Sequence, residues 1–368
     1  MSKQKKKILI LLNATLLLLS AVCIIAAVSK THALASQREA ERWKGESELD
    51  YAQVSCFLPE SEKIGTQNIN AFRSDMMQAF SEASLDTTNV PFIDAWSCEG
   101  SAKVASDKAG SSVPVTAVGG QFFAFHPLRL LAGSYISEDD GDRLRVVLDE
   151  ELAWFLYGSY DVAGMTLKIG PQTFTVAGVV ERNKDFATKK AYSAGMRLFM
   201  SYDAYCDVAT EAPAEAAEAP SAPGITCYEV CLPDPVKNFA VNLVESKFPA
   251  EGGEVLVNSG RYSLSKLLAI SKNFASRVLS SGQVYPSWEN AARYAENKSA
   301  TLVLWAIVFA LCPLVTLLVL LIRFLKAFFD TLREDRLPKL KDNVEESIRK
   351  VRRKQWEKEH IVKENGIL

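Results

Sequence analysis

Three histidines, seven cysteines and two runs of consecutive acids are the side chains in this 368-residue sequence best equipped for catalysis or metal binding. His32, His126 and His360 lie far apart, in positions that offer few partners for a metal site or a Ser-His-Asp triad. The sequence contains no G-x-S-x-G, no H-E-x-x-H and no G-x-x-x-x-G-K-[ST]. The last of these would be a phosphate-cradling loop, so ATP binding in the usual way is excluded and any ATP hydrolysis must come from a partner. Glu138-Asp139-Asp140 lacks the alternating ligand spacing of a calcium loop and reads as a solvated turn with a capping aspartate. Asp149-Glu150-Glu151 reads as a helix start, because acids favour the N-terminal end of the helix dipole. Cys56, Cys98, Cys206, Cys227 and Cys231 lie between two apolar runs, and five thiols cannot all pair within one chain. Cys227 and Cys231 are four apart in a strand-like segment, roughly 13 Å, which is too far for a disulfide unless the chain turns. Buried free thiols are the expected state. No catalytic, cofactor-binding or metal-binding residue is assigned, and no cofactor is expected.

The composition explains where the chain must reside. Lys and Arg number 42, Asp and Glu 44, and 48% of residues are hydrophobic. Residues 1–29 carry four Lys and no acid, and residues 323–368 carry 13 basic and nine acidic residues. Residues 30–322 therefore hold 25 basic and 35 acidic residues. Basic ends around an acidic middle argue against a nucleic-acid binder, whose basic residues gather on the folded domain. Ile8–Val28 is 21 residues without a charge, about one hydrocarbon core long at roughly 1.5 Å per residue. Ala300–Ile322 is a second such run of 23 residues, with Pro313 inside it as an expected kink. Lys3, Lys5, Lys6 and Lys7 precede the first run, and Arg323, Lys326, Arg333 and Arg336 follow the second. This bias predicts two transmembrane helices, 8–28 and 300–322, in the cell membrane. The basic N-terminus, 1–7, and a charged helical tail, 323–368, are then cytoplasmic, and 29–299 is extracytoplasmic. Two other readings of the first run stay open. Ala33-Leu34-Ala35 is a small-x-small cleavage site, although the run exceeds the roughly 7–15 apolar residues of a signal peptide. Cys23 offers a lipoprotein signal, which the bulky Val22 disfavours.

Between the spans, the pattern predicts an α+β extracytoplasmic domain. Tyr51–Leu58 reads as a strand, Asn68–Ala83 as an amphipathic helix with Ile69, Phe72, Met76, Met77 and Phe80 inward, and Val90–Trp96 as a strand. Lys103–Ala105 and Val113–Val118 are short strands, and Leu144–Leu148 leads to a helix with Asp149 as N-cap and Gly158 as stop. Met165–Ile169 and Phe174–Val180 form a hairpin around Gly170-Pro171, and Leu198–Ser201 is another strand. Asp207–Gly224, rich in Ala, Pro and Glu, reads as a flexible linker. Thr226–Cys231, a helix over Asp234–Phe248 and Glu254–Val257 repeat the strand–helix–strand order of Tyr51–Trp96. Two βαβ-type subdomains with a mixed or antiparallel sheet are expected. Tyr262–Leu279 is a further helix, and Trp288–Ala300 leads into the second span.

The run from Val113 to Tyr205 resembles the MacB-like periplasmic core domain of ABC-transporter permeases of the MacB/FtsX type. Val118-Gly119-Gly120 leads into Phe122-Phe123, then Pro127, Leu130-Leu131-Ala132-Gly133 and Ile136 to Asp140. Arg145-Val146-Val147-Leu148-Asp149-Glu150, Leu152-Ala153 and Leu156-Tyr157-Gly158 follow, and Gly164, Ile169 and Phe174-Thr175-Val176-Ala177-Gly178-Val179 close the run. Ser134 stands where the family usually has a basic residue, and Tyr157 where it usually has Phe. Permeases of this type have one span before the outer domain and three after it, whereas the tail after Ile322 is charged. The resemblance therefore implies a half-permease, a degenerate permease or a specialised subunit.

The resemblance implies a non-enzymatic membrane subunit of an ABC-type transport or mechanotransmission assembly. Its expected partners are a cytoplasmic ABC ATPase, a companion permease subunit and membrane lipid, with no nucleic acid. The alternative is a membrane-anchored extracytoplasmic binding or sensing module without an ATPase. In the tail, Phe324, Leu325, Phe328, Phe329 and Leu332 follow the span at near-helical spacing, and Glu345/Arg349 and Glu346/Lys350 are i,i+4 pairs. The tail reads as a partly helical segment at the lipid surface, against a partner, or simply solvated.

Overall fold

The computed structural model describes residues 3–45, 48–85, 92–138, 140–191, 195–210, 222–249, 252–270, 285–332 and 337–364. Two units are present: Cys23–Leu304, and Met1–Val22 together with Trp305–Leu368. In chain order the elements are α1 (Lys3–His32), a 3-10 turn (Ala35–Gln37), α2 (Glu39–Lys44), β1 (Tyr51–Phe57), α3 (Thr66–Glu82), β2 (Ile93–Ala105) and β3 (Gly110–Gly120). Next come α4 (Phe122–Phe125), β4 (Arg129–Gly133), β5 (Arg145–Asp149), α5 (Glu150–Tyr157), β6 (Thr166–Ile169), β7 (Gln172–Glu181), α6 (Thr188–Ala191) and β8 (Leu198–Ser201). The chain continues through α7 (Tyr202–Thr210), β9 (Cys227–Pro233), α8 (Phe239–Lys247), β10 (Glu254–Val257), α9 (Leu264–Ile270), α10 (Ser287–Thr331) and α11 (Leu337–Glu364).

In the larger unit the strands form one mixed sheet, ordered β10-β1-β9-β2-β3-β8-β5-β7-β4. β9 lies between β1 and β2 and is antiparallel to both, so β1 and β2 run parallel with α3 joining them. β1 likewise lies between β9 and β10, which α8 joins. The two expected βαβ units are therefore both present, and they interleave in one sheet as a split, ferredoxin-like pair. β6 pairs with both β2 and β7. The pairings β2–β3–β8–β5–β7–β6 thereby return to β2 and close a ring of strands.

Alternation along the strands builds two cores. Val54, Cys56, Trp96 and Cys98 face the larger core with Phe72, Met76 and Phe80 of α3 and Leu243 and Val244 of α8. Ile93, Ala95, Val118 and Cys231 face the opposite side, against Phe122, Phe123 and Phe125 of α4. Asp149 caps α5 as expected, its carboxylate accepting from the Leu152 amide at 2.8 Å. Gly158 ends that helix at φ 73°, in the left-handed region where a side chain is disfavoured.

Some boundaries differ from the sequence pattern. Ile93–Trp96 and Lys103–Ala105 are parts of one strand, β2, because continuous pairing with β3 from Ala95 to Ala105 carries the chain through Gly100, while Val90 and Pro91 of the expected strand lie outside the described residues. Asp234 does not begin a helix; its carboxylate accepts from the Ala240 amide at 3.0 Å, and α8 starts at Phe239. Asp207–Thr210 belongs to α7, whose Tyr202, Ala204 and Tyr205 are buried, and residues 211–221 of the expected linker lie outside the described residues. Within the expected Tyr262–Leu279 helix, α9 covers Leu264–Ile270, and residues 271–279 also lie outside the described residues.

In the smaller unit, α1 and α10 supply two helices long and apolar enough to cross a membrane. Ser20 Oγ donates to the Ala306 carbonyl at 2.9 Å, and Asn13 Nδ2 donates to Thr316 Oγ1 at 3.3 Å. Residues ascending in α1 thus meet residues descending in α10, so the helices pack antiparallel. Polar side chains inside an apolar run are satisfied across the pair, as helices in lipid require.

Candidate functional site

The described residues with the most concentrated buried charge lie in the larger unit, where the chain enters it from α1 and leaves it through α10. Three segments meet there: the 3-10 turn with α2, the loop Asn258–Ser263 after β10, and the first turns of α10. Arg261 stands at the centre. Its Nη1 and Nη2 each donate to a Glu289 carboxylate oxygen at 2.7 Å. Its Nε and Nη2 reach Glu296 at 2.7 and 3.1 Å, and Nη1 also donates to Gln37 Oε1 at 3.0 Å. Arg261, Glu289 and Glu296 are all buried.

The helix geometry makes this possible. Glu289, Arg293 and Glu296 sit at i, i+4 and i+7, one face of α10. Arg293 Nε donates to Glu289 at 2.6 Å, and its Nη2 reaches Glu254 at 2.9 Å on β10. Tyr285 donates its hydroxyl to the same carboxylate, and its ring lies 3.8 Å below the Arg293 guanidinium. Burial alone would lower the Arg261 pKa, but the facing carboxylates of Glu289 and Glu296 hold it well above the ordinary arginine value. Burial likewise opposes ionisation of Glu254, yet the Tyr285 hydrogen bond and the Arg293 charge hold its pKa below the ordinary value.

A second polar group pins the entry from α1. Gln53 on β1 is fully buried; its Nε2 donates to the Ser36 carbonyl at 2.7 Å, and its Oε1 accepts from the Glu39 amide at 3.0 Å. Arg42 pairs with Glu39 and donates to the carbonyls of Ala35 and Ala124 at 2.6 and 2.8 Å. Burial raises the Glu39 pKa despite Arg42. His126 Nε2 lies 2.5 Å from Glu229 Oε2, and Ser55 Oγ donates to the other oxygen at 3.2 Å. The His126 ring sits between Phe122 and Trp288, at centroid distances of 4.4 and 4.3 Å. Ala291, Ala292 and Ala295 of α10 pack closely with Leu34 and Ala187. Beside these, Phe122, Leu128, Val180, Phe199 and Trp288 line a pocket whose wall also carries Arg182 and Arg197.

The groups singled out in the sequence fall elsewhere or change meaning. His32 is exposed at the end of α1, and the His360 side chain lies outside the described ones. His126, which the sequence leaves without a partner, has a buried carboxylate partner 103 residues away. Glu138 pairs with Arg73, which also grips Asp94 through two bonds of 2.9 and 2.8 Å. Asp140 accepts from Arg145 at 3.0 Å, and Asp139 lies outside the described residues. The seven cysteines are free, and Cys56, Cys98, Cys227 and Cys231 are buried. Burial pushes those four thiols up, which suppresses the thiolate needed for nucleophilic or redox chemistry. Sequence reasoning missed the Arg261 centre. Its one local signal was the Glu289–Arg293–Glu296 spacing ahead of the second apolar run.

The arrangement pairs each buried charge with an opposite one. It ties the segment after α1 and the start of α10 to the loop after β10 and to the sheet.

The MacB-like periplasmic core domain family model matches residues 12–235, more than half of the chain. Among solved structures, the periplasmic region of MacB from Actinobacillus actinomycetemcomitans is similar at 17% identity and a TM-score of 0.36, covering 56% of this chain and 89% of that one. The extracellular domain of the noncanonic ABC-type transporter YknZ from Gram-positive bacteria is similar at 10% identity and a TM-score of 0.36, covering 56% of this chain and 98% of that one. No curated protein matches the sequence.

Proposed function

Because the chain belongs to the MacB-like periplasmic core domain family, we propose that it is a non-enzymatic membrane subunit of an ABC-type transport or mechanotransmission assembly. Both termini face the cytoplasm, residues 29–299 lie outside, and a cytoplasmic ABC ATPase supplies the work. A companion permease subunit completes the assembly. The observation that carries this reading is the Arg261 centre. One guanidinium holds Gln37, next to the exit from α1, together with Glu289 and Glu296 at the start of α10. A buried ion network has two discrete conditions, made or broken, and such an element transmits a change only if the two states differ in contact energy.

Purification of the full chain from its native membrane in mild detergent, with proteins identified by mass spectrometry, tests the assembly. A co-purifying ATP-binding cassette protein supports it. Absence of any such protein, even after chemical cross-linking, overturns it.

The pocket beside Trp288 favours a second reading, a membrane-anchored binding or sensing module, because its apolar wall carries a few convergent polar groups. The neighbouring reading frame separates the two. An ATP-binding cassette gene accompanies the first, and an isolated gene or a kinase gene accompanies the second.

A further inference from the structure

We propose that α11 lies along a lipid surface, with its aliphatic stripe in the headgroup boundary and basic side chains on both edges bound to anionic lipid. At about 100° per residue, Leu340, Val351, Val344 and Ile348 fall within roughly 80° of arc on the helix. All four are about half exposed or more, and they line one shallow groove together with Asn343, Ser347 and Arg352. Ser347, at the margin of this stripe, donates its hydroxyl back to the Asn343 carbonyl at 2.8 Å, so it can enter an apolar medium without an orphan donor.

Basic side chains outnumber acids at the edges of the stripe. Lys341 and Arg352 project at one edge and Lys354 at the other, by the same helical arithmetic. None of these three has an ion-pair partner among the described residues. Glu345 lies beside Lys341 and Arg352, and the acids Asp342, Glu346 and Glu357 project on the opposite side. Two of them are already neutralised there, Glu346 by Lys350 at 2.7 Å and Glu357 by Arg353 at 3.2 Å. A net positive charge beside an apolar stripe, with most acids turned away, is the charge complement of an anionic bilayer surface. An acid-flanked stripe or paired edge charges would have suited a second helix better.

Position agrees. Five residues separate Thr331, the end of α10, from Leu337, the start of α11. At no more than about 3.6 Å per residue, α11 begins within roughly 22 Å of the end of the membrane helix. Phe324, Phe328 and Phe329, exposed on the last turns of α10, carry its apolar surface on to the end of the helix, next to the start of α11. An anionic lipid surface can receive α11 on either side of the membrane, with or without an ATPase.

The test uses the full chain in nanodiscs of phosphatidylcholine with or without phosphatidylglycerol. A fluorophore is coupled to an alkyne-bearing residue placed at position 344 or, on the polar face, at 349. The expected result is quenching by nitroxide-bearing lipid at 344 and by aqueous iodide at 349, stronger with phosphatidylglycerol present. Lys341→Glu with Arg352→Glu weakens the lipid contact, by about fivefold for each basic charge lost. Iodide quenching at both positions would show a solvated helix and overturn the proposal. Protection of 344 from both quenchers would mean that a protein surface covers the stripe, which overturns it equally. Lipid quenching that ignores phosphatidylglycerol would remove the role assigned to the basic edges.

Discussion

Arg261 meets Glu289 through two parallel hydrogen bonds of 2.7 Å, at a depth where only 2% of the arginine and none of the glutamate is exposed. The residues belong to different segments, a loop after the edge strand and the first turn of α10, so the pair is a tertiary clamp and not a local helix interaction. A guanidinium fork matches a carboxylate in plane, and Glu296 and Gln37 accept from the remaining donors. Such a pair adds little net stability over an apolar filling, but losing one member strands charge in the interior.

Arg261→Met should therefore destabilise the outer domain by about 3–5 kcal/mol, because Glu289 and Glu296 would face each other without the guanidinium between them. For a domain of this size that corresponds to a fall in Tm of roughly 10 °C. Arg261→Lys should fall between the two, since an ammonium keeps the charge but cannot serve both carboxylates in plane. Thermal unfolding of the full chain in detergent measures both. Equal melting of wild type and Arg261→Met would refute the clamp.

Stability should respond to acid with opposite signs at two glutamates. Glu254 has a folded pKa below its ordinary 4.5, so its contribution is present above the unfolded value and disappears as pH falls through the folded one. Glu254→Gln should flatten the loss of stability below about pH 4.5. Glu39 has a folded pKa above 4.5, so its ionised form costs stability near neutrality and that cost is relieved as pH falls through the folded value. Glu39→Gln should remove that relief. Melting temperatures of the three proteins from neutral to acid pH provide the comparison, and superimposable curves would contradict both assignments.

Gly119 lies opposite Trp96 in the β2–β3 register, and a Cβ there would come within 2.2 Å of the indole. Gly119→Ala should cost about 1–3 kcal/mol, the range for overpacking a filled core. Trp96→Leu alone leaves a void, while the double variant should recover part of the loss, a coupling that a double-mutant cycle measures. Additive losses would show that the two positions do not compete for space.

The parts legible in the sequence were those set by short-range physics. Asp149 announces a helix start because its side chain can satisfy an amide three residues on, and Ile69, Phe72, Met76 and Phe80 announce α3 by their spacing. The interleaving of β9 between β1 and β2 was not legible, since nothing local says which of several apolar strands will be neighbours. The Arg261 centre was invisible for the same reason. Gln37 and Arg261 are 224 residues apart, and acids and arginines ahead of an apolar run look like solvated flank until the fold encloses them. His126 resembled an isolated histidine until β9 brought Glu229 to it.

A cytoplasmic ATPase can act on this chain only if its tail lies inside the cell. Four lysines precede the apolar part of α1, and Arg323 and Lys326 follow the apolar part of α10. Because translocating basic residues near a span is disfavoured, both clusters should stay inside, and the stretch between the spans should be outside. Thr210, at the end of α7, is exposed, so Thr210→Cys offers a reactive thiol against a background in which four of the five cysteines of the outer stretch are buried. A membrane-impermeant maleimide added to intact cells should label this variant well above wild type. A thiol appended after Leu368 should label only after the membrane is opened. Labelling of that C-terminal thiol in intact cells would place the tail outside. A cytoplasmic ATPase could then not act on it, and the transmission reading would give way to the sensing one.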